Sequence, residues 1–301
     1  MTATHACPKP WGGTQEEADT RMMIHVKHTA TSYQNVVVNS EDTDVFVILL
    51  SLHSQIPTRI LLRRGKGNAV RLIDIPRLGT ILGEDVCQAM IGVHAYTGCD
   101  SVSAFGGRGK IKALNLINKS HEYRQLFTSF GQEWHVTENV FQRVQAFTCN
   151  MYCSNTYTKL VNKLRYKMFC AKNGDISFGQ LPPCSDALRQ HAHRANYQAA
   201  IWRRSLESSP TVPSPTDGHG WNLLDGQLEI CWLTGAPAPE VVLDLMSCRC
   251  SRNCDKDCPC VMNGLRCTPA CKLRECTNMQ DDDDDDGSSD LDESDSDSDE
   301  K

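Results

Sequence analysis

Eight cysteines lie between residues 248 and 276, spaced Cys248-x-Cys250-x3-Cys254-x3-Cys258-x-Cys260-x6-Cys267-x3-Cys271-x4-Cys276. Little apolar sequence separates them, so they cannot be the small buried hydrophobes of an ordinary core. Thiolate is a soft ligand, and four of them satisfy one tetrahedral zinc ion. For a segment this short and polar, bound metal supplies the folding energy that an apolar interior would otherwise provide. Eight ligands fit two separate sites of four, or three ions if some thiolates bridge. A disulfide knot is the weaker reading, since clustered cysteines in a protein without export signals belong to a reducing compartment.

A second group of residues suited to chemistry is acidic. Glu16, Glu17 and Asp19 open one stretch, Asp42 and Asp44 follow three valines, and Asp100 closes the loop Thr97-Gly98-Cys99-Asp100. In an α/β sheet such positions, at the carboxyl ends of strands or on adjoining helix starts, gather toward one site. Carboxylates brought together there repel one another unless a hard cation neutralises them, and magnesium or manganese takes oxygen ligands of this kind. Two such ions roughly 4 Å apart can activate water and stabilise a leaving oxygen in phosphodiester cleavage.

The elements that must position these groups can be read from pattern. Thr14 with Glu17 makes a capping box before Ala18, Met22 and Val26, which predicts a helix over 15–30 with those three on its apolar face. Val36, Val37 and Val38 predict a strand buried on both faces, as in a parallel sheet. Segments 59–62 and 70–75 flank Gly65-Lys66-Gly67-Asn68 as a hairpin. A helix from Glu84 to about His94 presents Val86, Met90 and Val93. Together these predict an α/β domain over 14–120 with a partial parallel sheet and flanking helices. Residues 121–207 read as a helical extension whose aromatic residues, Phe127 to Trp202, are mostly core. A Pro/Ser-rich linker region spans 208–247, with a second break at Ala236-Pro237-Ala238-Pro239.

Charge is divided unevenly. Residues 281–301 carry thirteen acidic side chains against one lysine, which leaves thirty Lys and Arg against twenty-four Asp and Glu before them. The tail, with Leu291 as its single apolar side chain, is expected to be disordered and to bind basic chromatin proteins or simply to solubilise. No apolar run approaches the roughly 18 to 20 residues that a membrane helix needs, and no signal peptide opens the chain. A soluble, unexported protein without a membrane partner is the expectation.

Two resemblances rest on these residues. Cys248-Arg249-Cys250, Cys258-Pro259-Cys260, Asn263-Gly264, Cys267 and Cys271 resemble the CXC (tesmin-like) cysteine-rich domain, a zinc-dependent DNA binder. The family pattern carries nine cysteines for three zinc ions where this chain has eight, and Asp255-Lys256-Asp257 stands where the family has a tyrosine. The resemblance implies a zinc module over 248–276, two or three ions, and a nuclear protein with DNA as its partner. Arg249, Arg252, Lys256, Arg266, Lys272 and Arg274 are its phosphate-binding candidates.

Over residues 14–120 the chain resembles the PIN-like flap endonuclease family. Glu17-Ala18-Asp19 is similar to that family's acidic helix, Ser40-Glu41-Asp42-Thr43-Asp44 to its Ser-x-Asp-x-Asp strand end, and Thr97-Gly98-Cys99-Asp100 to its Gly-x-Asp loop. The resemblance makes Glu17, Asp19, Asp42, Asp44 and Asp100 metal ligands and catalytic candidates. Gly107-Arg108-Gly109-Lys110 resembles the family's glycine-hinged helix pair, with Gly107, Gly109 and Lys110 toward the duplex backbone. The family's amino-terminal strands, with two further aspartates, have no counterpart after Met1. The sequence therefore predicts a zinc-dependent DNA-binding protein with an incomplete, inactive nuclease-like domain. The alternative is an Mg- or Mn-dependent endonuclease targeted by its zinc module, of a kind that suits a mobile-element origin.

Overall fold

The computed structural model describes residues 14–172, 176–235, 248–262, 266–267, 271–273 and 276–278. The chain divides into two compact units, 1–235 and 236–301. The first, called the body below, is mixed α/β and mostly helical. Its elements run α1 (Ala18–Thr29), β1 (Asn35–Asn39), α2 (Thr43–Leu52), β2 (Arg59–Arg64), β3 (Arg71–Asp74), α3 (Ile75–Leu82), α4 (Glu84–Thr97), α5 (Lys110–Lys119), α6 (His121–Ser129), α7 (Glu138–Tyr152), α8 (Val161–Ala171), α9 (Ser185–Arg203), β4 (Trp221–Leu224) and β5 (Gln227–Ile230).

Strand order in the main sheet is β1-β2-β3, with β1 parallel to β2 and β2 antiparallel to β3. The hairpin over 59–75 therefore forms, pairing Leu62 with Ile73. The parallel sheet is reduced to one parallel pair. Val36 and Val38 are buried beside Ile60 and Leu62, whereas Val37 is 56% exposed. Among the described residues only one face of the sheet is covered, so the valines alternate in and out instead of forming the run buried on both faces that their β-branched side chains suggested.

The first helix also departs from its pattern. It starts at Ala18, and Glu17 is its N-cap without a side-chain capping bond. The Thr14 amide donates to the Ser208 carbonyl, and Gln15 Nε2 donates to the Arg204 and Glu207 carbonyls, which holds 14–17 against the end of α9 instead of in a helical turn. Burial falls on Thr20, Met23, Ile24 and Val26, while Ala18 is exposed and Met22 half-buried. The helix is thus rotated by about one residue from the apolar face Ala18-Met22-Val26.

One hydrophobic core runs from Met23 to Leu206. Helix α4 lies at its centre, packed on α2, α5, α6 and α9. A Cβ on Gly92 would stand 2.3 Å from the Phe127 carbonyl oxygen, so glycine permits the close approach of α4 to α6. Around Tyr96 the rings of Phe105, Phe127, Phe130, Phe147 and His191 lie with centroids within 6.0 Å, and the Tyr96 hydroxyl meets Thr148 Oγ1 at 2.6 Å. Most aromatic residues of 121–207 are core as predicted, but Tyr157, Tyr166 and Phe169 are not.

Within 208–247 the segment Leu224-Asp225-Gly226-Gln227 closes a β4–β5 hairpin, with both turn residues at positive φ. Asp-Gly between two short strands is a standard signal for such a turn, and the expectation of a linker over this region is corrected by the hairpin. The break at 236–239 and the acidic tail lie outside the described residues. No described helix is long and apolar enough to cross a membrane.

Candidate metal centres

Three segments bring the acidic residues of the body together. The amino-terminal end of α1 supplies Glu17 and Asp19, the β1–α2 junction supplies Asp42 and Asp44, and the loop after α4 supplies Asp100. Glu17, Asp19, Asp44 and Asp100 line one cavity of about 240 Å³ with Cys99, Ser101, Gln198 and Trp202. Carboxylate oxygens of Asp19, Asp42 and Asp44 all lie within 4.8 Å of one another, close enough to share a cation. Glu16 faces a different cavity, beside Tyr197 and Ile201.

Local bonds explain the placement. Asp42 caps α2 by accepting from the Asp44 amide at 2.8 Å, which places Asp44 in the first helical turn and partly inside. Asp44 Oδ1 is 2.6 Å from His94 Nε2, and His94 Nδ1 is 2.8 Å from Lys110 Nζ. An ammonium can only donate, so Nδ1 accepts and the imidazole proton sits on Nε2, donated to Asp44. Lys110 Nζ also donates to the Gly98 carbonyl at 2.6 Å. On the other wall, Ser101 Oγ donates to Gln198 Oε1, and Gln198 Nε2 donates to both Glu17 oxygens at 3.0 and 3.2 Å.

Electrostatics follow from this crowding. Burial, reinforced by Asp42, Asp44, Glu17 and Asp100, raises the Asp19 carboxyl to about 6. Burial lowers Lys110 while Asp44 opposes that shift. Repulsion of this sort is what a divalent cation relieves.

Sequence reasoning placed the acidic residues but not the groups that hold them. His94 lay on the predicted helix one turn before the Thr97 loop. Gln198 and Trp202 carried no signal for this site, since α9 reaches it from far along the chain. Lys110, read as a phosphate ligand, turns its ammonium into the carboxylate network. Gly109 is the N-cap of α5, and Gly107, at φ +60°, is exposed.

In the second unit the six thiols of Cys248, Cys254, Cys258, Cys260, Cys267 and Cys271 are buried together. They form two overlapping tetrads, Cys248-Cys254-Cys258-Cys267 and Cys248-Cys260-Cys267-Cys271. Sulfur separations include 3.6 Å for Cys248–Cys254, 3.9 Å for Cys248–Cys267 and 3.8 Å for Cys260–Cys271. Cys250 and Cys276 are half-buried against this cluster. Cys248 and Cys267 belong to both tetrads.

One helical turn, Pro259–Met262, points amides at sulfur. The Val261 amide first, with that of Cys260, holds the Cys258 thiol down at about 6. Burial pushes Cys254 and Cys267 up, as thiols crowded without a cation cannot all ionise. This donor set fits zinc. Arg249, Arg252, Lys256, Arg266 and Lys272 are exposed around it, and Arg274 lies outside the described residues.

No family model, no curated protein and no solved structure matches the chain.

Proposed function

We propose that the chain is a zinc-dependent DNA-binding protein, nuclear or chromatin-associated, in which a CXC-like module makes the contact. The overlapping cysteine tetrads carry this reading, because they put thiols inside and basic side chains outside on one short segment. Six thiolates with Cys248 and Cys267 shared suffice for two zinc ions, and Cys250 and Cys276 stand ready for a third. DNA phosphates would then meet Arg249, Arg252, Lys256, Arg266, Lys272 and Arg274. The acidic tail, residues 281–301, would serve basic chromatin proteins.

Fluorescence anisotropy of the full chain with duplex DNA tests this. Binding should disappear on zinc chelation, and log affinity should fall with log salt at about 0.9 per phosphate neutralised. Equal affinity before and after chelation would sink the proposal.

A second reading is favoured by the meeting of Asp19, Asp42 and Asp44. Here the body is a PIN-like, Mg- or Mn-dependent endonuclease, with Glu17 and Asp100 completing the ligand set. Glu17, Asp19, Asp42, Asp44 and Asp100 would hold the cation, which would activate water and stabilise the leaving oxygen. Incubation of a flap substrate with Mg²⁺ or Mn²⁺ decides it: cleavage that Asp42→Ala with Asp44→Ala abolishes supports an enzyme, and none from the unaltered chain leaves binding alone.

A further inference from the structure

Residues 139–174 hold six Lys and Arg and not one Asp or Glu. Most of these cations lie on α8 and the extended segment leading into it. Helix α8 buries only Val161 and Leu164, and Arg165 Nη1 fixes it to the body by donating to the Pro182 carbonyl at 2.7 Å. Met168 is partly buried against the core, whereas Lys163, Tyr166, Lys167 and Phe169 are exposed.

Lys163 and Lys167, four residues apart on α8, share one helix face about 6 Å apart along the axis, and Lys159 precedes them in the extended segment, two residues before the helix. Among the described residues none of the three has an acidic partner within ion-pair distance. Three rings stand beside these lysines with large exposures: Tyr157 at 100%, Tyr166 at 69% and Phe169 at 47%. Like charges at this spacing oppose the helix, and bare rings gain nothing from water. Among the described residues the hydrogen bond from these lysines is that of Lys167 Nζ to Thr158 Oγ1 at 3.3 Å.

We propose that this face of the body binds single-stranded nucleic acid, with phosphates on Lys159, Lys163 and Lys167 and bases stacked on Tyr157, Tyr166 and Phe169. A strand of this chemistry answers both features at once, because every base has a face to stack and every linkage a negative charge. Duplex DNA supplies the charge but keeps its base faces within the helix. The site goes beyond the zinc-dependent contact proposed above, since it requires no metal.

Anisotropy of the full chain with a labelled oligothymidylate tests the proposal. Replacing the three lysines by alanine should weaken binding at least tenfold and lower the salt slope by about 2, at about 0.7 per contact on a single strand. Tyr157→Ala with Tyr166→Ala, which changes no charge, should also weaken binding at least tenfold, and the paired Phe variants should restore it. Because these side chains are exposed, the melting temperature should stay where it was. Cys248→Ser with Cys267→Ser should lose duplex binding yet keep the oligothymidylate, which separates this site from the zinc-dependent one. Unaltered oligothymidylate affinity in the lysine and tyrosine variants would overturn the proposal. So would a loss with the lysines alone accompanied by equal binding to anionic vesicles, which would mark a general polyanion surface.

Discussion

The body and the cysteine unit meet the entropy of chain ordering by opposite means. In the body an apolar core runs through nine helices and the main sheet among the described residues, and its polar groups are fastened by bonds between residues distant in sequence. In the cysteine unit the buried cluster is six thiols, with Val261 and Leu273 as partly buried apolar companions among the described residues. Hydrophobic burial scales with area and is available without any ligand. Thiol clusters supply stability only when metal replaces their protons. One chain thus combines a region whose fold is its own with a region whose buried thiols are grouped as a zinc site requires.

Metal removal is the strongest way to break this contrast. A strong chelator should abolish protease protection of 248–276, an effect on the order of 10 kcal/mol for structural zinc, while the melting transition of the body is unmoved. Limited proteolysis with mass spectrometry reads both regions in one sample, and cleavage of the body at the same chelator concentration would remove the distinction.

The converse perturbation acts on the core. Phe127→Ala deletes a fully buried ring beside Tyr96 and should cost about 3–5 kcal/mol of body stability in denaturant titration, with zinc content unchanged. Loss of zinc in that variant would mean the two units fold as one.

The acidic cavity sharpens the comparison because it lies within the body yet gathers carboxylates. Asp19 titrates at about 6 in the fold against 3.8 as an ordinary carboxyl. The stabilising contribution of its protonated form is complete below pH 4 and is lost as pH rises through about 6. Asp19→Asn, which cannot ionise, should therefore melt a few degrees higher than the native chain above pH 6, with the difference closing toward pH 4. Added Mg²⁺ should reverse the order by stabilising the native carboxylates alone. A pH-independent difference would show that repulsion among the carboxylates is not what raises Asp19.

The smallest effect is expected at the β4–β5 turn. Gly226 has φ +80° with open space around its Cα, so Gly226→Ala meets backbone strain but no clash, and about 1 kcal/mol should be lost in thermal unfolding.

Much of this was legible in local pattern. Cysteine spacing identified the thiol cluster, the glycine turn gave the β2–β3 hairpin, and the acidic residues were named before any geometry was known. Local pattern misled where long-range contacts outweigh it. Gln15 prefers the carbonyls at the end of α9 to a helical turn, and Val37 is exposed because no described residue covers that side of the sheet. His94 and Gln198 could not be assigned to the acidic site from sequence, as their partners lie 50 and 181 residues away.

The sequence by itself determined ligand chemistry: thiolates for a soft metal, carboxylates for a hard one, and a stretch of cations without acids. Those are properties of side-chain type and spacing, which need no fold to be read. Tertiary structure alone decided that Cys248 and Cys267 are common to both tetrads, that Lys110 turns toward Asp44 through His94, and that Tyr157 and Tyr166 stay outside the core. Each of these depends on which surfaces the packing of helices leaves covered, and that is a property of the whole chain at once.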